Sequence, residues 1–91
     1  MINKYSYDGN NNFETLQNAL KDLMGEIAAV IEYDEHIHTT QNMVARQNWV
    51  NIRNDELTHI GNLMGLIKYL SSDQAQHVEK GFREFEEIVR K

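Results

Sequence analysis

The sequence of 91 residues predicts an all-α fold, in which a two-helix antiparallel hairpin is followed by a short third helix. Apolar residues recur at helical spacing through most of the chain, and the alternation typical of strands is scarce. Proline is absent, so no residue of this type interrupts a long helix. A lone hairpin would leave an apolar face of each helix uncovered. We therefore expect two copies to pair about a two-fold axis into a four-helix bundle.

The first helix is predicted over residues 12–38, after a tail of residues 1–11 that we expect to be flexible because it is rich in Asn, Tyr and Gly. Asn11 followed by Glu14 matches a capping box, which is typical of a helix start. Apolar residues then recur every three or four positions and predict one amphipathic stripe. They are Phe13, Leu16, Leu20, Leu23, Ile27, Val30 and Ile37.

The second and third helices are predicted over residues 42–71 and 73–90, which completes a single domain of residues 1–91. The polar segment 39–42 carries two β-branched residues and an Asn, which can end one helix and cap another. Asp73 with Gln76 forms a further capping-box pattern at the start of the third helix. We expect this helix to present one apolar side.

Composition excludes several classes of function. The net charge of −5 argues against nucleic acid and anionic membrane surfaces as partners. Because the chain has no Cys, it can form neither a disulfide nor a thiolate metal site. No apolar run reaches the length of a membrane span, and the first residues do not resemble a signal peptide. We expect a cytoplasmic protein.

Three residues point to a metal site. Glu56 and His59 are three positions apart, which places them on one face of the second helix about one turn from each other. Glu26 is the only charged residue in the segment 23–31 of the first helix. We expect all three side chains to point into an apolar interior, where each would need a partner. The apolar residues around the second-helix pair are Trp49, Ile52, Ile60, Leu63, Ile67 and Leu70.

A two-fold dimer would double this set to four carboxylates and two imidazoles. That is the ligand set of ferritin-like di-iron bundles, in which two helices each supply a Glu and two supply a Glu-x-x-His motif. Oxygen and nitrogen donors without thiolate suit iron or manganese, and zinc can compete for such a site. The sequence therefore predicts a di-iron centre held by Glu26, Glu56 and His59 of both copies.

In its spacing the chain resembles the encapsulated ferritin family, which has half the usual ferritin length. Glu26 is followed by Tyr33 and Asp34, and Glu56 lies 30 positions after Glu26 and begins Glu-x-x-His. The resemblance implies that Glu26, Glu56 and His59 are ferroxidase ligands at a dimer interface, with Tyr33 beside them as a further catalytic residue. It also implies oxidation of Fe(II) by dioxygen for iron storage or detoxification, and assembly of dimers into a ring such as a decamer.

The chain departs from that family at several positions. Glu32 stands where the family has a Trp, and Gly25 and Ala28 replace acidic residues that form its iron uptake path. The C-terminal segment 85–91 lacks a targeting motif resembling Leu-Thr-x-Gly-Ser-Leu. We therefore expect a free-standing relative at least as readily as a protein packaged in an encapsulin shell.

Plainer interpretations stay open for each of these residues. Glu56 and His59 could form a simple polar pair, Glu26 could extend to water, and Tyr33 could be a core residue with a hydrated hydroxyl. His36, His38 and Asp34 lie near the end of the first helix, as a secondary metal site or as a solvated helix end. Packing is the expected role of Trp49 and the methionines, and His77 is expected to be structural or exposed.

Two alternative functions also follow from the sequence. One is a non-catalytic helical dimer with a structural or regulatory role, in which Glu26 and Glu56 would need cationic partners. The nearest candidates, Arg46 and Arg53, lie off their face or a turn away. The other is a di-metal protein that acts on a different substrate.

Overall fold

A computed structural model describes the backbone of residues 8–90 and the side chains of residues 12–90. Within this range the chain forms three α-helices and no strand: α1 (Asp8–Thr39), α2 (Met43–Leu70) and α3 (Ser72–Arg90). The predicted all-α class and the hairpin with a third helix are confirmed. None of the three described helices has an apolar stretch long enough to cross a membrane.

The first helix begins at Asp8, earlier than the predicted residue 12, so the expected start at Asn11 lies within the helix. No proline occurs in this segment, and residues of the Asp and Asn type are well tolerated where a helix starts. The capping-box pattern is therefore compatible with a helix start, but the helix begins three residues before it. The remainder of the expected flexible tail, residues 1–7, lies outside the described residues.

The connection between α1 and α2 is short and closely held. Asn42 is the N-cap of α2, and its side chain accepts a hydrogen bond of 3.0 Å from the backbone N–H of Ala45. Arg46 donates from its side chain to the backbone carbonyls of Ile37, at 3.1 Å, and of Thr40. Carbonyls at a helix end lack partners within the helix, so Arg46 satisfies one acceptor in the last turn of α1 and one in the connection that follows it. These bonds tie the two helices together at the turn.

The connection between α2 and α3 is a single residue, Ser71. Its N–H donates to the carbonyl of Ile67, and its hydroxyl oxygen accepts a bond of 3.2 Å from the N–H of Gln74. The side chain that caps α3 is therefore Ser71 and not the predicted Asp73, because the helix starts at Ser72. The Cα atoms span 56 × 41 × 14 Å, and two packed helices are only about 20 Å wide. It follows that α3 projects away from the hairpin.

The core of the described chain is very small. Leu16, Ala19 and Ile67 are the buried apolar residues, and they lie where the first half of α1 meets the last turns of α2. Leu20, Leu23 and Leu70 pack against them and are partly buried. Many large apolar side chains on all three helices are exposed. A single copy of this chain thus buries little of its apolar surface.

Candidate metal centre

Glu26, Glu56 and His59 lie together on one face of the hairpin. Glu26 extends from α1, and the other two extend from adjacent turns of α2. The Nδ1 atom of His59 is 3.1 Å from Oε1 of Glu56 and 3.3 Å from Oε1 of Glu26. One donor atom from each residue lies within 4.8 Å of the other two. The structure thus brings together the three residues that the sequence singled out.

The spacing of these donors fits a divalent metal ion. Carboxylate oxygens and imidazole nitrogens bind such ions at about 2.0–2.2 Å, so neighbouring donors are separated by about 3.0–3.4 Å in octahedral or tetrahedral geometry. The two distances from His59 to the carboxylates fall in this range. Three donors also leave coordination positions open on the side that faces away from the chain.

The three side chains do not point into an apolar interior, which corrects the sequence prediction. The exposed fraction of the side chain is 20% for Glu56, 25% for Glu26 and 55% for His59. The physical reason is that two helices alone cover only the line where they meet, so residues beside that line face the surroundings. Burial of this group would require a further covering element.

A shallow groove of about 420 Å³ runs beside Glu26 and His59. Its other lining residues are Lys21, Asp22, Gly25, Asn62 and Leu63. A Cβ atom placed on Gly25 would have no atom within 4 Å, so the surface here is open. The groove therefore has room for the close approach of another chain next to the three donors.

Neither arginine near the group neutralises its carboxylates. Arg53 forms an ion pair with Asp34 on α1, and Arg46 is engaged by the carbonyls of the turn. Among the residues whose side chains the structure describes, no Lys or Arg lies within 4.0 Å of the Glu26 or Glu56 carboxylate oxygens. His59 is their ionisable neighbour, and it contacts both.

The other predicted site residues lie outside this group. Tyr33 is seven residues after Glu26, about 10 Å further along α1, where it meets His36 edge to face at 6.1 Å between ring centroids. His36 in turn contacts Trp49 at 4.8 Å, which joins α1 to α2. His38 donates through Nδ1 to the backbone carbonyl of Asp34 at 2.8 Å. Within the described chain, the structure brings none of Tyr33, Asp34, His36 or His38 into a cluster with the three donors.

Two further ionic contacts involve His77 and the pair of Asp34 with Arg53. His77 is exposed on α3, and its Nε2 lies 3.9 Å from the carboxylate of Asp73. The ion pair between Asp34 and Arg53 links the two hairpin helices, and the sequence analysis did not identify it. The position of the turn alone would not have revealed it, because Asp34 is seven positions before Gln41 and Arg53 is twelve positions after it.

The chain matches no family model, no curated protein and no solved structure. Function is therefore inferred from the three donors and their surroundings.

Proposed function

We propose that two copies of this chain share a di-metal centre and act as a ferroxidase. The observation that supports this most directly is the grouping of Glu26, Glu56 and His59 on an open face, with donor spacing suited to a metal ion. Pairing these faces about a two-fold axis supplies four carboxylates and two imidazoles. The substrate is Fe(II), and each Fe(II) gives one electron to dioxygen.

A shared centre accounts for the open side of the group. One chain supplies three donors, which is fewer than iron or manganese ions usually bind. The second copy would fill the open positions, and Gly25 leaves space for its approach. In this arrangement Glu26, Glu56 and His59 of both copies would hold the ions, the carboxylates by chelation or bridging and His59 as a terminal ligand. Tyr33 stays a proposed neighbour of the centre, two helical turns away from Glu26 along α1.

We choose iron because of the donor chemistry and because of the sequence interval between the two glutamates. Carboxylate and imidazole donors without thiolate suit iron or manganese, with zinc as a substitute. When bound, iron supplies the one-electron chemistry that oxidation by dioxygen requires. The 30-residue interval between Glu26 and Glu56 resembles that of encapsulated ferritins, and on this basis we propose a role in iron storage or detoxification in the cytoplasm or inside an encapsulin shell.

Native mass spectrometry with and without Fe(II) tests the shared centre. We expect about one iron per chain in even-numbered oligomers, because each two-fold pair would hold two ions. Glu56→Ala should lose this iron while keeping its helical circular dichroism. Asp55→Ala is the matched control, since it removes an adjacent exposed carboxylate that does not belong to the group.

Oxygen consumption on addition of Fe(II) separates oxidation from binding. The wild-type chain and Asp55→Ala should consume oxygen, and Glu56→Ala should not exceed the rate of iron in buffer. A wild-type rate in Glu56→Ala would contradict the ferroxidase assignment. Iron binding without oxygen uptake would instead favour a di-metal protein with another substrate.

A non-catalytic helical dimer is the second candidate. One observation favours it: Nδ1 of His59 lies 3.3 Å from Glu26 and 3.1 Å from Glu56, so its N–H can donate to a carboxylate without a metal ion. Under this function, the oligomer mass and thermal stability would not change with Fe(II) or Mn(II). His59→Gln would then keep the wild-type assembly, because a side-chain amide can replace the donor.

A further inference from the structure

The hairpin has a second face, opposite the metal centre, that exposes large apolar side chains. Met24 and Ile31 are two and five residues from Glu26, which turns them about 140–160° away from it around α1. Leu57 and Met64 stand in the same relation to His59 on α2. We call this surface the back face. It consists of Phe13, Met24, Ile27 and Ile31 of α1 with Leu57 and Met64 of α2, and all six are exposed.

The third helix presents a matching apolar stripe that has no partner among the residues that the structure describes. Its members alternate at spacings of three and four residues, which is the period that packs against another helix. They are Ala75, Val78, Phe82, Phe85 and Val89. Of the two other described helices, α2 alone lies within packing distance of α3, and Phe82 and Phe85 are more than half exposed. We call α3 the arm. It carries exposed apolar surface beyond the hairpin.

The base of this arm and the hairpin enclose an open cleft of about 290 Å³ on the back-face side. Apolar side chains from all three helices line it: Leu20, Leu23, Met64, Ile67, Val78 and Phe82. The apolar stripe of α3 and the back face therefore form one continuous surface. A helix inserted into the cleft would contact both.

The exposed area favours association between copies. Its accessible surface is 7019 Å². A compact monomer of 10.7 kDa exposes about 5,500 Å². The difference, about 1,500 Å², exceeds the roughly 800 Å² that each partner buries in an interface of standard size. With three buried apolar residues in the described chain, this surface is available to build a core between copies.

We propose that α3 of a second copy lies on the back face, and that its own back face receives α3 of the first. The dimensions agree: α3 has 19 residues and is about 28 Å long, and the back face extends about 27 Å along α1 from Phe13 to Ile31. Gly61 lies between Leu57 and Met64 and leaves room for a close helix, because a Cβ there would have no atom within 4 Å. The occupant is a second copy because each chain carries one arm and one receiving face, so a reciprocal exchange satisfies both.

This contact uses the face opposite the metal centre and requires no metal ion. It therefore goes beyond the proposed ferroxidase function and can fail or hold independently of it.

Sedimentation velocity of the full chain in the presence of a chelator tests the exchange. The wild type should associate without metal. An arm variant, Phe82→Glu with Phe85→Glu, and a back-face variant, Met24→Glu with Ile31→Glu, should each weaken association on the order of 100-fold, because charges would enter an apolar contact. All four positions are exposed within one chain, so the helices should persist. Ser72→Glu with Gln76→Glu is the control, since it adds two charges to α3 away from the stripe.

Mixing the two variants identifies which surfaces meet. In the exchange, the intact arm of the back-face variant docks on the intact back face of the arm variant, so the mixture should associate more tightly than either variant alone. If back faces paired with each other, or arms with each other, mixing would restore nothing, and that result would overturn the proposal. A wild-type chain that stays monomeric without metal would overturn it as well. Iron stoichiometry of the arm variant reports separately on Glu26, Glu56 and His59.

Discussion

The two faces of the α1–α2 hairpin expose opposite kinds of side chain. One presents Glu26, Glu56 and His59 beside a polar groove, and the other presents Met24, Ile31 and further apolar residues. A second copy can cover the first face at low cost only if a cation neutralises its carboxylates. The second face gains free energy from any apolar covering. One hairpin thus carries two surfaces whose association should respond to different conditions.

Removing a donor residue should abolish the function of one face and leave the other unchanged, and this is the largest effect we expect. Glu26→Ala should weaken binding of Mn(II) or Zn(II) by about 100-fold or more, because one of three donors per chain is lost. Met24→Glu changes a residue two positions earlier on the opposite face and should leave this affinity unchanged. Isothermal titration calorimetry measures both, and equal losses in the two variants would contradict the separation of the faces.

Two glycines allow the two faces to be tested separately, because each lies on a different face. Gly25 borders the groove of the metal centre, Gly61 lies on the back face, and both have open space around them. Replacing either by Leu should favour the isolated helix by about 0.8–1 kcal/mol, so it should not unfold the chain. Gly25→Leu should block association that depends on metal, and Gly61→Leu should block association in the presence of chelator. Sedimentation velocity with and without Mn(II) would show the two effects. The assignment of faces would be refuted if Gly25→Leu blocked association in chelator and Gly61→Leu blocked association that depends on metal.

Weakening the turn should affect both faces alike. Asn42→Ala removes the N-cap acceptor of α2 and should cost about 1 kcal/mol of folding free energy. The melting temperature at one fixed protein concentration should fall by about 4–8 °C, with metal and with chelator. Gln41→Ala, an exposed neighbour in the same turn, is the control and should change little. A fall in melting temperature confined to the metal-bound form would show that the turn stabilises the proposed metal centre and not the hairpin.

The ion pair between Asp34 and Arg53 should give the smallest effect. It is partly exposed, so solvent screens it, and we expect a coupling of about 0.5–1 kcal/mol. Denaturant unfolding of Asp34→Asn, Arg53→Met and the double variant measures this coupling directly. Since the pair joins α1 to α2 and belongs to neither face, metal affinity should not change. A coupling near zero would show that it contributes no stability to the hairpin.

Helical periodicity and the position of one turn were enough to predict the hairpin and the grouping of the three donors. The numbers of Glu26 and His59 sum to 85, and so do those of His36 and Trp49, which also meet. A turn centred on residue 41 gives a sum of 82, so the antiparallel geometry places these residues within about one helical turn of each other. The numbers of Asp34 and Arg53 sum to 87, so this pair lies about two residues out of that register, and the sequence analysis did not identify it.

The exposure of the donors could not be predicted from periodicity. Ile27 and Phe13 fit the apolar stripe of α1, yet both are exposed, because the stripe is wider than one partner helix can cover. A pattern shows which residues avoid water, but not how many helices are present to cover them. The start of α3 was also misplaced by one residue, since Ser71 and Asp73 are both good capping types and only the local backbone distinguishes them.

The small core has a consequence for how this protein persists in a cell. A chain that buries three apolar residues within its described range would gain folding free energy from the proposed association, so its thermal stability should then rise with its own concentration. Newly made copies at low abundance would spend more time open and would be the first substrates of proteases. Turnover would then remove unassembled chains and spare assembled ones, which couples the lifetime of each molecule to the number of its copies.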